Sequence, residues 1–155
     1  MLEDEQAELH RSQAVAANNS VWELLGDDSP DVTELLSRAY AASYHWERAA
    51  RRGPENAARA AWLLSRCHVV LGNGDLALHH ADECAAVVAD AQLVDFDLGY
   101  AYEARARSLA ALGRNDEAAV ELASARAVTI AETEDRDVFE ADLASPPWFA
   151  LAARR

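Results

Sequence analysis

One phrase occurs twice in the chain, and it constrains the fold more than any other feature. Leu71-Gly72-Asn73-Gly74-Asp75-Leu76-Ala77 returns as Leu112-Gly113-Arg114-Asn115-Asp116-Glu117-Ala118, with 41 residues between the two Leu-Gly pairs. Each copy ends one Ala-rich amphipathic stretch and opens another. A weaker echo, Leu25-Gly26, lies 46 residues before the first. A repeat of this length is the size of a helical hairpin, a unit that cannot bury its apolar face alone and must stack on a neighbour. Proteins built from such stacks mostly work by binding other molecules.

Composition supports helix-on-helix packing. Hydrophobic residues make up 51% of the 155, and Ala alone supplies 35. Ala is the best helix former because it loses no side-chain entropy on folding. The length fits a single domain, 1–155, and suffices to bury a core without metal or disulfide staples. Net charge is −13, and all 14 basic residues are Arg, a bias of the kind a GC-rich genome produces. Such acidity argues against nucleic-acid partners, which need a basic face, and against anionic membrane surfaces. Cys67 and Cys84 both fall inside predicted helices, which suggests a reducing compartment. The acidic start, Met1-Leu2-Glu3-Asp4-Glu5, lacks the basic-then-apolar order of a signal peptide, and no apolar run approaches the roughly 20 residues of a membrane span. These features together predict a cytoplasmic protein.

The spacing predicts seven helices and no strand of period two. The first runs from about Asp4 to Leu25. Ser29-Pro30 then offers a cap and a first-turn proline for the second, which reaches about Arg51. Gly53-Pro54 opens the third, which ends at Leu71-Gly72. Asp75 caps the fourth, to about Ala91. Asp95 opens the fifth, which ends at Leu112-Gly113. Asn115 or Asp116 opens the sixth, to about Ala131, and a seventh covers about Glu134 to Ser145. Short loops make successive helices antiparallel neighbours. The expected architecture is all-α: three antiparallel hairpins, 4–51, 54–91 and 95–131, then a capping helix and tail over 134–155.

The small residues around the repeated turn carry a family resemblance. Counting from Gly113, positions seven before, five after and twelve after are Ala106, Ala118 and Ala125. Counting from Gly72 they are Ser65, Ala77 and Cys84. From Gly26 they begin with Asn19 and Asp31, so the first hairpin is degenerate. This pattern resembles the tetratricopeptide repeat over about residues 55 to 131, with longer helices than its usual period of about 34. The resemblance implies a right-handed stack of hairpins. The chain is also similar to a family of small, uncharacterised bacterial helical proteins, on Tyr44-His45-Trp46, Trp62, His79-His80-Ala81 and Asp95-Phe96-Asp97 leading to Ala101-Tyr102-Glu103. That second resemblance implies a repeat-like fold and no activity.

In the repeat family the first helix of each hairpin lines a concave groove. Carried over, the groove residues are Arg59, Trp62 and Arg66 in one hairpin and Tyr100, Glu103 and Arg107 in the next. Helical spacing independently puts Arg59, Trp62 and Arg66 on one face, and Phe96, Tyr100, Glu103 and Arg107 on another. The expected function is non-catalytic binding of a protein or peptide, anionic where it meets the groove. Arg66 and Arg107 would clamp charge, Trp62 and Tyr100 would supply contact area, and Glu103 would orient Arg107. The alternative within the residues themselves is a Glu103–Arg107 pair and a core Trp62.

Other candidates point elsewhere. Cys67-His68 and His79-His80 with Cys84 lack any CxxC or HExxH spacing, and core packing explains them, so no metal and no cofactor is expected. His45 paired with Asp95 or Asp97 is the residue on which a small enzyme would rest, but no nucleophile motif or phosphate-cradling glycine loop accompanies it. A structural subunit that self-associates, as a homodimer for instance, is a further alternative. Trp148 and Phe149 after Pro146-Pro147 form an apolar tail with two expected fates, folding back over the last helix pair, which is favoured, or docking on another subunit.

Overall fold

The computed structural model describes residues 2–154; Met1 and Arg155, at the two ends of the expected domain, lie outside them. The chain is all-α. Its elements are α1 (Leu2–Leu25), α2 (Val32–Arg48), α3 (Pro54–Val70), α4 (Gly74–Asp90), α5 (Asp95–Ala111), α6 (Asn115–Ala127) and α7 (Thr133–Ala144), followed by a short 3-10 helix, Phe149–Arg154. From α1 to α6, consecutive helices pack antiparallel. The odd-numbered helices also touch in series, α1 on α3, α3 on α5 and α5 on α7. Among the described residues no helix is long and apolar enough to cross a membrane.

The two copies of the repeated phrase close their turns identically. Gly72 and Gly113 have φ of 76° and 74°, the left-handed conformation that a Cβ disfavours. The Gly72 amide donates to the Val69 carbonyl at 3.0 Å and Asn73 to His68 at 2.8 Å. The Gly113–Ala110 and Arg114–Leu109 bonds, 3.0 and 2.9 Å, repeat the arrangement. This double bond satisfies carbonyls that a helix end leaves open. Gly26 is not left-handed, so the Leu25-Gly26 echo is an echo in sequence only.

Helix caps differ from the expected ones at the starts of α2, α4 and α5. Asp31, not Ser29, caps α2, its Oδ1 accepting from the Glu34 amide at 2.9 Å. Asn73 rather than Asp75 stands at the cap of α4, with no side-chain bond to the helix. Asp95 is the first residue of α5 rather than its cap. Its Oδ1 accepts from Phe96 N at 2.7 Å, and its Oδ2 reaches 2.9 Å to Ala131 N, tying the α6–α7 connection to the start of α5. The sixth helix correspondingly ends at Ala127, four residues short of the expected end at Ala131.

The core follows the small residues. Ser65, Ala77, Cys84, Ala106, Ala118 and Ala125 are all buried, which lets helix axes approach closely. Three apolar clusters fill the molecule, one among α1, α2 and α3, one among α3, α4 and α5, and one among α5, α6, α7 and the 3-10 helix; Trp62 packs against all three. The tail folds back through Trp148 and Leu151, while Phe149 stays 41% exposed. Trp148 is 2% exposed, and its Nε1 donates to the Leu143 carbonyl at 2.9 Å. The apolar face of the last hairpin is therefore closed jointly, α7 packing along α5 and the 3-10 helix covering α5 and α6.

Candidate functional site

The series of odd-numbered helices leaves a groove between α1 and α7 with α3 and α5 as its floor. A cavity of about 440 Å³ lies there. Five aromatic side chains, Trp22, Trp46, Trp62, Phe96 and Tyr100, line it. Trp22 of α1 stacks on Trp62 of α3, ring centroids 5.6 Å apart and planes 25° apart. Trp62 meets Tyr100 edge-on at 5.4 Å, and Phe96 lies 4.6 Å from Tyr100. These contacts arise because α3 and α5 run alongside each other and each turns one face, at spacings of three and four residues, into the same space. Trp22 remains 49% exposed, although it is one of the largest apolar side chains in the protein.

Six groove residues predicted from sequence fall into two layers. Arg59, Trp62 and Tyr100 line the cavity itself. Arg66, Glu103 and Arg107 lie behind that wall and are engaged with the protein. Glu103, 1% exposed, accepts from Trp62 Nε1 at 2.7 Å and from Arg66 at 3.3 Å, and it also pairs with Arg107. Arg107, also 1% exposed, donates to the Ser145 and Pro147 carbonyls at 3.0 and 2.9 Å and to the Asp142 carbonyl. Its guanidinium lies 4.1 Å from the Trp148 ring centroid. Burial lowers its pKa, and the Glu103 carboxylate opposes that. The expected charge clamp is thus directed inward. Arg107 ties the C-terminal segment to α5 by donating to carbonyls that the end of α7 leaves open, and Arg66 adds a bond to the Pro146 carbonyl at 3.5 Å.

Arg59 also has a partner. Its Nε and one terminal nitrogen donate to the two Asp97 oxygens at 2.9 and 3.2 Å, and the guanidinium stands 5.8 Å over Phe96. Asp142, from α7, accepts from the Tyr100 hydroxyl and, among the described residues, pairs with no basic side chain. Burial and then that bond push Tyr100 well above the ordinary phenol range. The cavity wall therefore carries two carboxylates, Asp97 and Asp142, against one guanidinium.

Four of these wall residues, Trp22, Phe96, Asp97 and Asp142, were not among the six expected, although Phe96 shares the helical face of Tyr100. Trp22 sits in the degenerate hairpin, where no repeat position selects it. Asp97 reads in sequence first as a helix-start acid, with the groove edge as its alternative, and it occupies both places, in the first turn of α5 and in the cavity lining. Asp142 reads as one of many acids on a solvated face, and only the docking of α7 on α5 turns it toward Tyr100.

The remaining candidates lie elsewhere. His45 Nδ1 is 2.8 Å from His10 Nδ1, between α1 and α2, and neither Asp95 nor Asp97 is in contact with it. Cys67 and Cys84 are buried, and burial pushes both thiols up to about 12. His68 and His80 are buried while His79 is exposed on α4, so the His79-His80 pair straddles core and surface. Comparison of the chain with protein-family models, curated proteins and solved structures finds no match.

Proposed function

We propose that this protein is a non-catalytic binding module that holds a segment of a protein or peptide in the groove between α1 and α7. In this reading α1, α3, α5 and α7 are the inner helices of a right-handed, tetratricopeptide-like stack. The burial of all six small repeat positions supports that stack. The single observation that carries the binding reading is the aromatic wall, with Trp22 held half-exposed against Trp62. Rigid rings supply contact area at low entropy cost and are the side chains on which binding energy concentrates.

The charge of the occupant follows from the pairings. An anionic segment would need free guanidinium groups, and Arg59, Arg66 and Arg107 are each bound to a carboxylate. A cationic side chain finds aromatic faces and the Asp142 carboxylate instead, on a protein of net charge −13. The segment is therefore basic, with an Arg or Lys seated against Trp22 and Trp62.

Selection of binders from a random peptide library tests this reading. Enrichment of Arg or Lys at one position is the expected result, with affinity lost at least tenfold in Trp22→Ala and reduced in Asp142→Asn. Enrichment of acidic peptides, or equal binding by Trp22→Ala, would overturn it.

A further inference from the structure

We propose that His79, His80 and Glu83 bind a divalent transition-metal ion of the zinc class, and that Tyr40 and His68 orient His80 for it. The site is independent of the groove. Within α4, Glu83 follows His79 by four residues and His80 by three, so both rings lie over one carboxylate. Glu83 Oε1 is 3.2 Å from His79 Nε2, and Oε2 is 2.8 Å from His80 Nδ1. One ligand atom from each of the three lies within 4.8 Å of the others. Ligands about 2.0–2.1 Å from a tetrahedral ion stand roughly 3.3 Å apart. The two carboxylate–imidazole distances are already near that spacing, and the full set of three donors lies within 4.8 Å. Two imidazoles and a carboxylate suit zinc and its neighbours, whereas calcium and magnesium take oxygen donors. The side chains of His79 and Glu83 are 62% and 50% exposed, which leaves the outer coordination position to water.

A second observation points to the same ion. His80 is buried, and its other nitrogen, Nε2, is 3.0 Å from the Tyr40 hydroxyl. That hydroxyl is 3.0 Å from His68 Nε2, and the Asn73 amide is 3.3 Å from His68 Nδ1. Four polar groups from α2, α3, the α3–α4 turn and α4 form one chain, buried at His68 and His80 and reaching the surface at Tyr40 and Asn73. A histidine that gives one nitrogen to a metal needs an acceptor for the N–H on the other. With His80 Nδ1 on the ion, its Nε2–H donates to Tyr40, and the Tyr40 O–H donates to His68 Nε2. His68 Nδ1–H then donates to the Asn73 oxygen after a half-turn of that amide. Every proton in the chain has an acceptor.

The test is calorimetric titration of the metal-stripped full chain with zinc chloride. One ion per chain is expected, not displaced by millimolar calcium or magnesium. His79→Ala and Glu83→Gln alter exposed side chains, so their melting curves should match the parent while zinc affinity falls at least tenfold. Tyr40→Phe keeps all three donors and should weaken zinc by about tenfold, the usual cost of losing a partner behind a ligand. Absence of saturable one-to-one binding overturns the site, as does undiminished binding by His79→Ala and Glu83→Gln. Undiminished binding by Tyr40→Phe overturns the orienting role of the Tyr40–His68 chain.

Discussion

Arg107 is the residue on which most of the C-terminal architecture converges. One guanidinium neutralises buried Glu103, satisfies carbonyls of Asp142, Ser145 and Pro147, and lies against Trp148. Removing one partner of a buried pair leaves an uncompensated charge, which costs about 3–5 kcal/mol. Arg107→Ala is expected to lose that much in urea denaturation, with Arg66→Ala losing less because Arg107 still faces Glu103. Equal losses in the two variants would contradict this ranking. His68 sets a pH dependence. Burial and then His80 hold it below its ordinary 6.5 in the folded state, so between the two values the unfolded chain binds the extra proton. The stability from this group is full above about 6.5 and declines as pH falls through the lower folded value. Urea midpoints in chelator-containing buffer at about pH 7.5 and pH 5 should therefore differ more for the parent than for His68→Gln. Parallel declines would show that other groups dominate.

At the scale of elements, helix ends matter more than helix middles. Gly72 and Gly113 end α3 and α5 in the left-handed conformation, and α4 ends the same way without a glycine. Gln92 has φ of 53°, its amide bonding to Ala89 at 3.2 Å and that of Leu93 to Val88 at 2.9 Å. A side chain in that conformation costs about 1–2 kcal/mol. Gln92→Gly is therefore expected to stabilise the protein by about 1 kcal/mol, since glycine carries no such penalty at that position. A lower urea midpoint in the variant would sink that account. Gly99 has a different role, because a Cβ there would lie 3.0 Å from the Phe139 ring and hold α7 away from α5.

For the whole molecule, the question is whether the tail is an appendage or part of the fold. Trp148 and Leu151 are as buried as Leu63 or Leu109, and they belong to the same apolar cluster as α5 and α6. Trp148→Ala should cost about 3–5 kcal/mol, as for a buried core aromatic, within a single cooperative transition. A parent-like melting curve would make the tail an appendage. Trp62 links all three clusters while one face borders the cavity, so the binding wall and the core share a side chain.

The sequence by itself determined the helices, their order and their antiparallel neighbours. Those properties are local: apolar residues at helical spacing, short loops, and a Leu-Gly phrase whose glycine takes the left-handed turn without the strain a side chain adds. The small residues at Ser65, Ala77, Cys84, Ala106, Ala118 and Ala125 were legible as close-contact positions for the same reason. Asp31 and Asp95 show where local reading ends, because several acids near a helix start can cap it and the surrounding chain selects among them. Arg66, Glu103 and Arg107 share a helical face with true cavity residues, so spacing could not separate the wall from what lies behind it. Only the tertiary structure decided that, by laying α7 and the tail across α5 and giving Arg107 carbonyls to bind. It likewise brought Trp22, 40 residues before Trp62, into the groove, and ran a hydrogen-bonded chain from His80 through Tyr40 to His68. Those contacts join helices distant in sequence, and no local period records them.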